Sequence, residues 1–380
     1  MTELFDPLTL REVTLRNRVV VAPMWQYVGV DGCPTDWHLM HLGRFADGGA
    51  GLVFQEATAV ERRGCGTIGD LGIWDDRFIE PLSRVAAIIR DNGAVPGIQL
   101  AHAGRKSRTK TPMQGRGPLE RGPEVPDWDE WEPICPSAVP IKDGHEPPRA
   151  MTSQDIGDVV AAFGAAAHRA AQAGYGALEI HAGHGYLLHE FLSPLTNQRT
   201  DAYGGSLDNR MRIVLEVTET VRAAWPAHLP LFIRLSCIDG GGWELEDTIE
   251  LVKALKPLGI DVVDCSTGGL VGSPLRDGEV LTYGYQVRYA RAVREATGVA
   301  TMAVGLLVHA AHAQEIISDG SADLVAVGRE VLHNPNWPLD AALKLGVENP
   351  YQLTALTSGF WLSQRSASVP GFRPSTLADL

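Results

Sequence analysis

Eight short, nearly continuous apolar runs, each followed by a stretch with helical spacing, restrict the folds open to this chain more than any other feature. They fall at residues 18–24 (RVVVAPM), 51–60 (GLVFQEATAV), 95–101 (VPGIQLA), 177–182 (ALEIHA), 230–236 (PLFIRLS), 260–266 (IDVVDCS), 300–305 (ATMAVG) and 323–328 (DLVAVG). A strand with one wet face alternates polar and apolar residues; a strand covered on both faces does not. Between the runs the spacing changes. Ile156, Val159, Val160 and Phe163 make an apolar stripe over 153–173, with Thr152 and Asp155 placed as a capping box and Gly174 as the stop. Phe78, Leu82, Val85 and Ile89 do the same over 77–92, and Met211, Val214, Leu215 and Thr218 over 209–224.

Eight strand–helix repeats predict an α/β fold, a (β/α)8 TIM barrel, with residues 1–380 forming one domain behind a hairpin-like cap at 4–16. A doubly wound sheet would carry a glycine-rich phosphate turn after its first strand. Ala22-Pro23-Met24-Trp25 stands there instead. Ala303-Val304-Gly305 and Ala326-Val327-Gly328 read as matching ends of strands seven and eight. One stretch breaks the rhythm. Residues 107–150, after strand three, hold nine prolines together with Trp128 and Trp131. A loop that long inside a compact domain is usually functional, and here it reads as a lid-like insertion.

Composition excludes several classes. Net charge is −13 with no Lys/Arg run, so nucleic acid and anionic membranes are not expected partners. No apolar run reaches the ~18 residues of a membrane span. The first residues lack the basic and apolar regions of a secretory leader, so a cytoplasmic protein is expected. The five cysteines form no C-x-x-C pair, which argues against a zinc ribbon or a cysteine-bound iron–sulfur cluster.

Barrel active sites form where strands end at their C-terminal side. The residues due there are Pro23, Met24, Trp25 and Tyr27; Ala57; Gln99, His102, Arg105 and Lys106; His181, His184 and Tyr186; Arg234; Ser266; Gly305; and Gly328 with Arg329. Glycines after strands seven and eight let backbone N–H groups approach an anion, and Arg329 adds a cation, so a phosphate site is expected between them. His181 and His184 leave three readings open. They are too few for a catalytic zinc without a third protein ligand. A serine hydrolase would need G-x-S-x-G, which does not occur. The third reading is a pair of donors to a carbonyl or phenolate oxygen, with Tyr186 as a proton donor.

Asn17-Arg18 with Ala22-Pro23-Met24, the block from Gln99 to Lys106, His181-x-x-His184-x-Tyr186, the block from His189 to Pro194, Asn197-x-Arg199-Thr200-Asp201-x-Tyr203-Gly204-Gly205-Ser206, and Gly328-Arg329 together resemble the Old Yellow Enzyme family. The similarity runs from about Leu8 to Pro338 and is greatest to its bacterial, YqjM-like and xenobiotic reductase-type branch. The resemblance implies a flavin oxidoreductase, an ene-reductase with non-covalent FMN and NAD(P)H as reductant. NAD(P)H and an activated alkene (an α,β-unsaturated carbonyl) or quinone would use one site in turn. It implies that Pro23, Met24, Trp25, Ala57, Gln99 and Arg234 line the flavin and that Gly305, Gly328 and Arg329 hold its phosphate. His181 and His184 would hold the substrate oxygen, Tyr186 would protonate carbon, and Trp25 and Tyr27 would touch substrate. A homo-oligomer, dimer or tetramer, is implied as well.

The chain departs from the resemblance at Trp25, where relatives usually have Cys or Thr, at Ala22 in place of a common serine, and over 346–380. In that divergent tail Trp361, Arg365 and Arg373 are candidates for reaching a neighbouring subunit. Trp25 keeps other functions in view: an FMN-dependent desaturase or isomerase of one metabolite, or a flavin-binding protein without turnover. A metal-dependent barrel hydrolase or lyase using the two histidines is the reading from another class.

Overall fold

The computed structural model describes residues 3–142, 146–270, 280–369 and 374. Eight parallel strands close into a barrel: β1 (Val19–Val21), β2 (Leu52–Ala59), β3 (Val95–Ala101), β4 (Ala177–Ala182), β5 (Leu231–Ser236), β6 (Val262–Ser266), β7 (Ala300–Ala303) and β8 (Leu324–Val327). Neighbours in sequence are neighbours in space, and β8 pairs with β1 to shut the ring. Each predicted run holds one strand. Most strands are one or more residues shorter than their runs; in the first and seventh, Pro23-Met24 and Val304-Gly305 leave the sheet at the mouth.

The surrounding helices are α1 (Asp36–Asp47), α2 (Ile79–Asp91), α3 (Ser153–Gln172), α4 (Leu207–Ala224), α5 (Leu245–Leu255), α6 (Val287–Thr297), α7 (Ala310–Ser318) and α8 (Trp337–Lys344). The capping box of α3 forms as read: Thr152 Oγ1 accepts from the Asp155 N–H at 3.2 Å, and Asp155 accepts from the Thr152 N–H at 2.8 Å. Gly174 follows at φ +85°, a conformation that favours glycine. Of the predicted stripe, Ile156, Val159 and Phe163 are fully buried and Val160 is half-buried at its edge.

Side chains alternate along each strand, so the barrel interior is built in layers. The lowest is apolar: Phe54, Ala177, Phe232, Val262, Met302 and Leu324 pack together, with Phe54 and Phe232 edge to face at 5.5 Å. The antiparallel hairpin Leu8–Leu10/Val13–Leu15 plugs this end with Leu10 and Leu15, as the predicted cap requires. On β3 to β6 the next position up is polar: Gln99, Glu179, Arg234 and Asp264. That alternation is what delivers charge to the mouth.

The insertion after β3 is docked rather than loose. Trp131 is fully buried, and its indole N–H reaches Cys65 O at 2.9 Å and Ser107 Oγ at 2.8 Å. Arg62 stacks on its ring at 3.8 Å and pairs with Asp127. Short parallel strands Ile134–Cys135 and Arg149–Ala150 fasten the far end, where Arg149 bonds Asp155 at 2.8 Å. In the tail, the helix Leu356–Ser368 carries Trp361 and Arg365, with Trp361 exposed; Arg373 lies outside the described residues.

Trp131→Ala should cost about 3–5 kcal/mol of stability by removing a buried aromatic. Trp131→Phe should cost only ~1 kcal/mol or slightly more for the lost hydrogen bonds. Thermal unfolding with limited proteolysis of residues 107–142 measures this. An alanine variant with wild-type melting and protease resistance would show that the insertion is held by something else.

Candidate active site

The polar layer places one cation among buried acids. Arg234 on β5 is in register with His181 on β4 and Asp264 on β6. Its Nε lies 3.1 Å from Asp264 Oδ2. Gln99 Nε2 donates to Glu179 Oε1 at 2.7 Å. Burial raises the pKa of both Glu179 and Asp264, and the guanidinium of Arg234 opposes it. Removing that cation would leave two buried carboxyl groups without a counter-charge.

The β4 loop supplies the histidines. His184 sits at φ +56° and Gly185 at φ +70°, a backbone that a non-glycine residue adopts only when held. Three contacts hold it. The His184 N–H donates to Ser236 Oγ at 2.8 Å, and Lys106 Nζ donates to His184 O and Gly269 O, both at 2.6 Å. A Cβ on Gly269 would come within 2.3 Å of His184 Cα, so glycine is required there. His184 Nε2 lies 2.7 Å from Ser266 Oγ, and its Nδ1 lies 3.4 Å from His181 Nε2. His181 Nδ1 is buried and has no hydrogen-bond partner among the described residues. Burial, then the charge of Arg234, holds both imidazoles well below 6.5, so both are neutral near pH 7.

Tyr186 closes the group. Its ring is 5.1 Å from that of His181 and 5.0 Å from that of Trp25, and the Lys106 ammonium lies 4.9 Å from its centroid. Burial raises its hydroxyl pKa, so the proton stays on. Trp25 stands in the mouth and stacks on Tyr27 at 6.3 Å, so its bulk narrows the entrance. Both residues and Tyr186 line a cavity of about 880 Å³ that extends under the 107–150 insertion.

The structure brings together at the mouth most of what the sequence nominated. Ala57 follows the irregularity in β2 at Gln55/Ala57 and is buried, as is Gln99. Gly305 has φ +118°, and Gly328 opens the short helix Arg329–His333 with Met24 Sδ 3.6 Å from where a Cβ would stand. The side chain of Arg329 faces solvent. Two histidines are elsewhere employed. His102 bonds Glu61 at 2.9 Å and accepts from the Gly104 N–H, and His189 accepts from the Gly185 N–H at 2.8 Å. His102 is therefore a structural residue, contrary to its expected place at the mouth. Residues the sequence reading passed over are Asp264, Ser236 and Gln286, the last bonding Thr267 Oγ1 at 2.7 Å and Ser266 at 3.3 Å. The signal for Asp264 was there: it lies two residues before Ser266, on the same side of the strand. Among the described residues, no three His, Cys, Asp or Glu side chains come together as metal ligands.

A closed barrel thus carries a cation, neutral imidazoles and a protonated tyrosine at its mouth. Residues 3–347 match the NADH:flavin oxidoreductase / NADH oxidase family, and the chain belongs to it. Among solved structures it is similar to morphinone reductase, at 28% identity and TM-score 0.75 over 91% of this chain and 90% of that one. It is also similar to the old yellow enzyme homologue from Zymomonas mobilis, at 25% identity and TM-score 0.73 over 91% and 94%. A 2-naphthoyl-CoA reductase complex shares the fold at 24% identity and TM-score 0.79, but the chain spans only 53% of that protein. The chain is an FMN-dependent oxidoreductase of Old Yellow Enzyme type, with NADH or NADPH as reductant. The site fits FMN on its own terms. Arg234 offers a cation at the mouth, Gln99 an amide, and Ala57, Gly305 and Gly328 leave room for close approach.

Lys106 gives a test of the loop that carries the histidines. Burial holds its pKa down to about 8 from 10.5. The unfolded chain therefore binds more protons than the folded one between those values, and this group makes stability rise with pH across that window. Lys106→Met should lose that rise. A difference in Tm between wild type and variant that is constant from pH 8 to 10.5 would show that Lys106 titrates normally.

Proposed function

We propose that the protein is an NAD(P)H-dependent ene-reductase that reduces the activated C=C bonds of α,β-unsaturated carbonyls or quinones. The observation that carries this reading is the neutral His181–His184 pair beside a protonated Tyr186, at the rim of a polar layer centred on Arg234. When bound, FMN supplies the hydride acceptor and donor. Pro23, Met24, Trp25, Ala57, Gln99 and Arg234 line its ring, and Gly305, Gly328 and Arg329 take its phosphate. Reduction of an enone puts negative charge on the carbonyl oxygen. A preorganised N–H donor there contributes about 3–4 kcal/mol. Tyr186 then delivers a proton to the carbon beside the carbonyl, and Tyr27 and Trp25 shape the space around the substrate.

The hydrogen bonds divide the work between the histidines. A neutral imidazole has one N–H. Both nitrogens of His184 already face partners, Ser266 and His181, whereas His181 Nδ1 faces none. His181 is therefore the ready donor, and His184 reaches the substrate oxygen by exchanging a partner. The exposed Leu356, Phe360 and Trp361 on the terminal helix are apolar surface available to a second copy, in keeping with a homo-oligomer. Trp25 favours one narrower reading, a pocket shaped for a specific metabolite, and Trp25→Ala should broaden the range of alkenes accepted.

His181→Ala should slow alkene reduction by about 10²–10³-fold and weaken binding of phenols, read as a change in the flavin spectrum, with FMN retained. His184→Ala should have the smaller effect. Equal phenol affinity in wild type and both variants would remove the oxygen-holding role. The alkene half-reaction should also show no step near pH 6.5, since both imidazoles stay neutral there; a step at that pH would mean that one of them titrates.

A further inference from the structure

The cavity beside Tyr186 is far larger than a simple enone needs. At about 880 Å³ it lies near the top of the range for drug-sized ligand sites. Its outer wall is a hairpin formed by residues 108–119. Lys110 N–H bonds Gly117 O at 2.9 Å, and Leu119 N–H bonds Arg108 O at 3.0 Å. Three cations on this hairpin line the cavity: Arg108, Lys110 and Arg116. Neither arginine is ion-paired to a carboxylate among the described residues. Lys110 pairs with an exposed acid outside the lining, Glu120, at 2.9 Å. Arg108 lies 4.2 Å over the ring of Trp128, which also lines the cavity, and Arg116 has no ion pair among the described residues. Both arginines adopt left-handed backbone angles, Arg108 at φ +59° and Arg116 at φ +61° between Gly115 and Gly117 at φ +90° and +89°.

The two ends of the cavity sense one another. Burial and the charge of Asp70 raise the pKa of Tyr27 and of Tyr186, and the charge of Arg116 opposes them, so both Asp70 and Arg116 lie close enough to be felt at the reacting end. Yet the protein as a whole carries −13. The lining holds seven Lys or Arg against four Asp or Glu (Asp70, Asp129, Glu132 and Glu146), and a cavity with an excess of cations in an acidic protein gathers anions locally. Trp128 adds a flat apolar face beside the arginines.

We infer that this cavity is an anion subsite, in which Arg108, Lys110 and Arg116 hold a carboxylate or phosphate at the far end of a ligand whose reactive end lies at Trp25 and Tyr186. The inference rests on the ene-reductase reading for the reactive end alone. Two ligands have this chemistry: an unsaturated substrate with an anionic tail, and the phosphates of NADPH.

The test uses the FMN-loaded enzyme and four probes: a cyclohexenone whose side chain ends in a carboxylate, its methyl ester, NADPH and NADH. Calorimetry on the oxidised enzyme gives the affinities of acid and ester without turnover. Because NADPH and NADH would reduce the flavin on mixing, their tetrahydro forms, which have no hydride to give, are titrated in their place, and single-turnover rates follow. Wild type should bind the acid about tenfold more tightly than the ester, the order expected for one partly exposed charge-assisted contact. Arg116→Glu should abolish or reverse that preference, and Arg116→Lys should restore most of it. Loss of an NADPH-over-NADH preference in Arg116→Glu, with no acid preference in wild type, would assign the subsite to the cofactor's phosphate and still uphold it. Equal affinity for acid and ester and for NADPH and NADH in wild type would overturn it. Because binding is read directly, a protein that reduces neither enone yet prefers the acid would refute the ene-reductase reading and leave the subsite standing.

Discussion

The structure depends on a charged layer carried inside a barrel. Arg234 stands next to Asp264, with Glu179 on the neighbouring strand and Gln99 on the one beyond. Buried ions are costly unless paired and hydrogen-bonded. The layer is tolerable because it sits above a sealed apolar one, where Phe54, Phe232, Met302 and the hairpin leucines exclude water from below. The cation is thereby fixed at the mouth, with Asp264 beside it. Everything added above is aimed relative to that point: the β4 histidines, the glycines after β7 and β8, and the insertion.

The upper shell uses a different device. The His184 turn has unfavourable backbone angles and is held by contacts from three other strands' loops: Lys106 after β3, Ser236 at the end of β5, and Ser266 with Gly269 after β6. No one of these strands specifies the turn alone. Their convergence gives two imidazoles a fixed separation while burial keeps them neutral, which suits donors to an oxygen and does not suit a general base that must titrate near neutrality. The insertion, anchored by Trp131, places a second wall over this group.

Much of this was legible in the sequence because barrel strands are local. Unbroken apolar runs identify strands buried on both faces, and the period of two then places His181 and Arg234 inward. The capping box at Thr152 and Asp155 was readable for the same reason: its partners are three residues apart. What could not be read was partnership between strands. The inward side of Asp264 could be read from Ser266 two residues on, but its partner, Arg234 on the neighbouring strand, could not. Lys106 looked like one more mouth residue, yet its ammonium clamps two loop carbonyls. His102 looked like a mouth residue too, and Glu61 takes it away. Trp131 was visible as an aromatic in a proline-rich stretch, but its socket at Cys65 and Ser107 is set by tertiary packing.

The central claim is that this mouth runs a flavin cycle between a reduced nicotinamide and an activated alkene. Its most direct measurement is the visible spectrum of the purified protein under anaerobic conditions, first with NADPH and then with cyclohexenone. The account predicts a yellow protein that bleaches with the nicotinamide and recovers its colour with the enone. A protein that stays colourless after FMN is added would contradict it at the cofactor; one that bleaches and is not reoxidised by the enone would contradict it at the alkene.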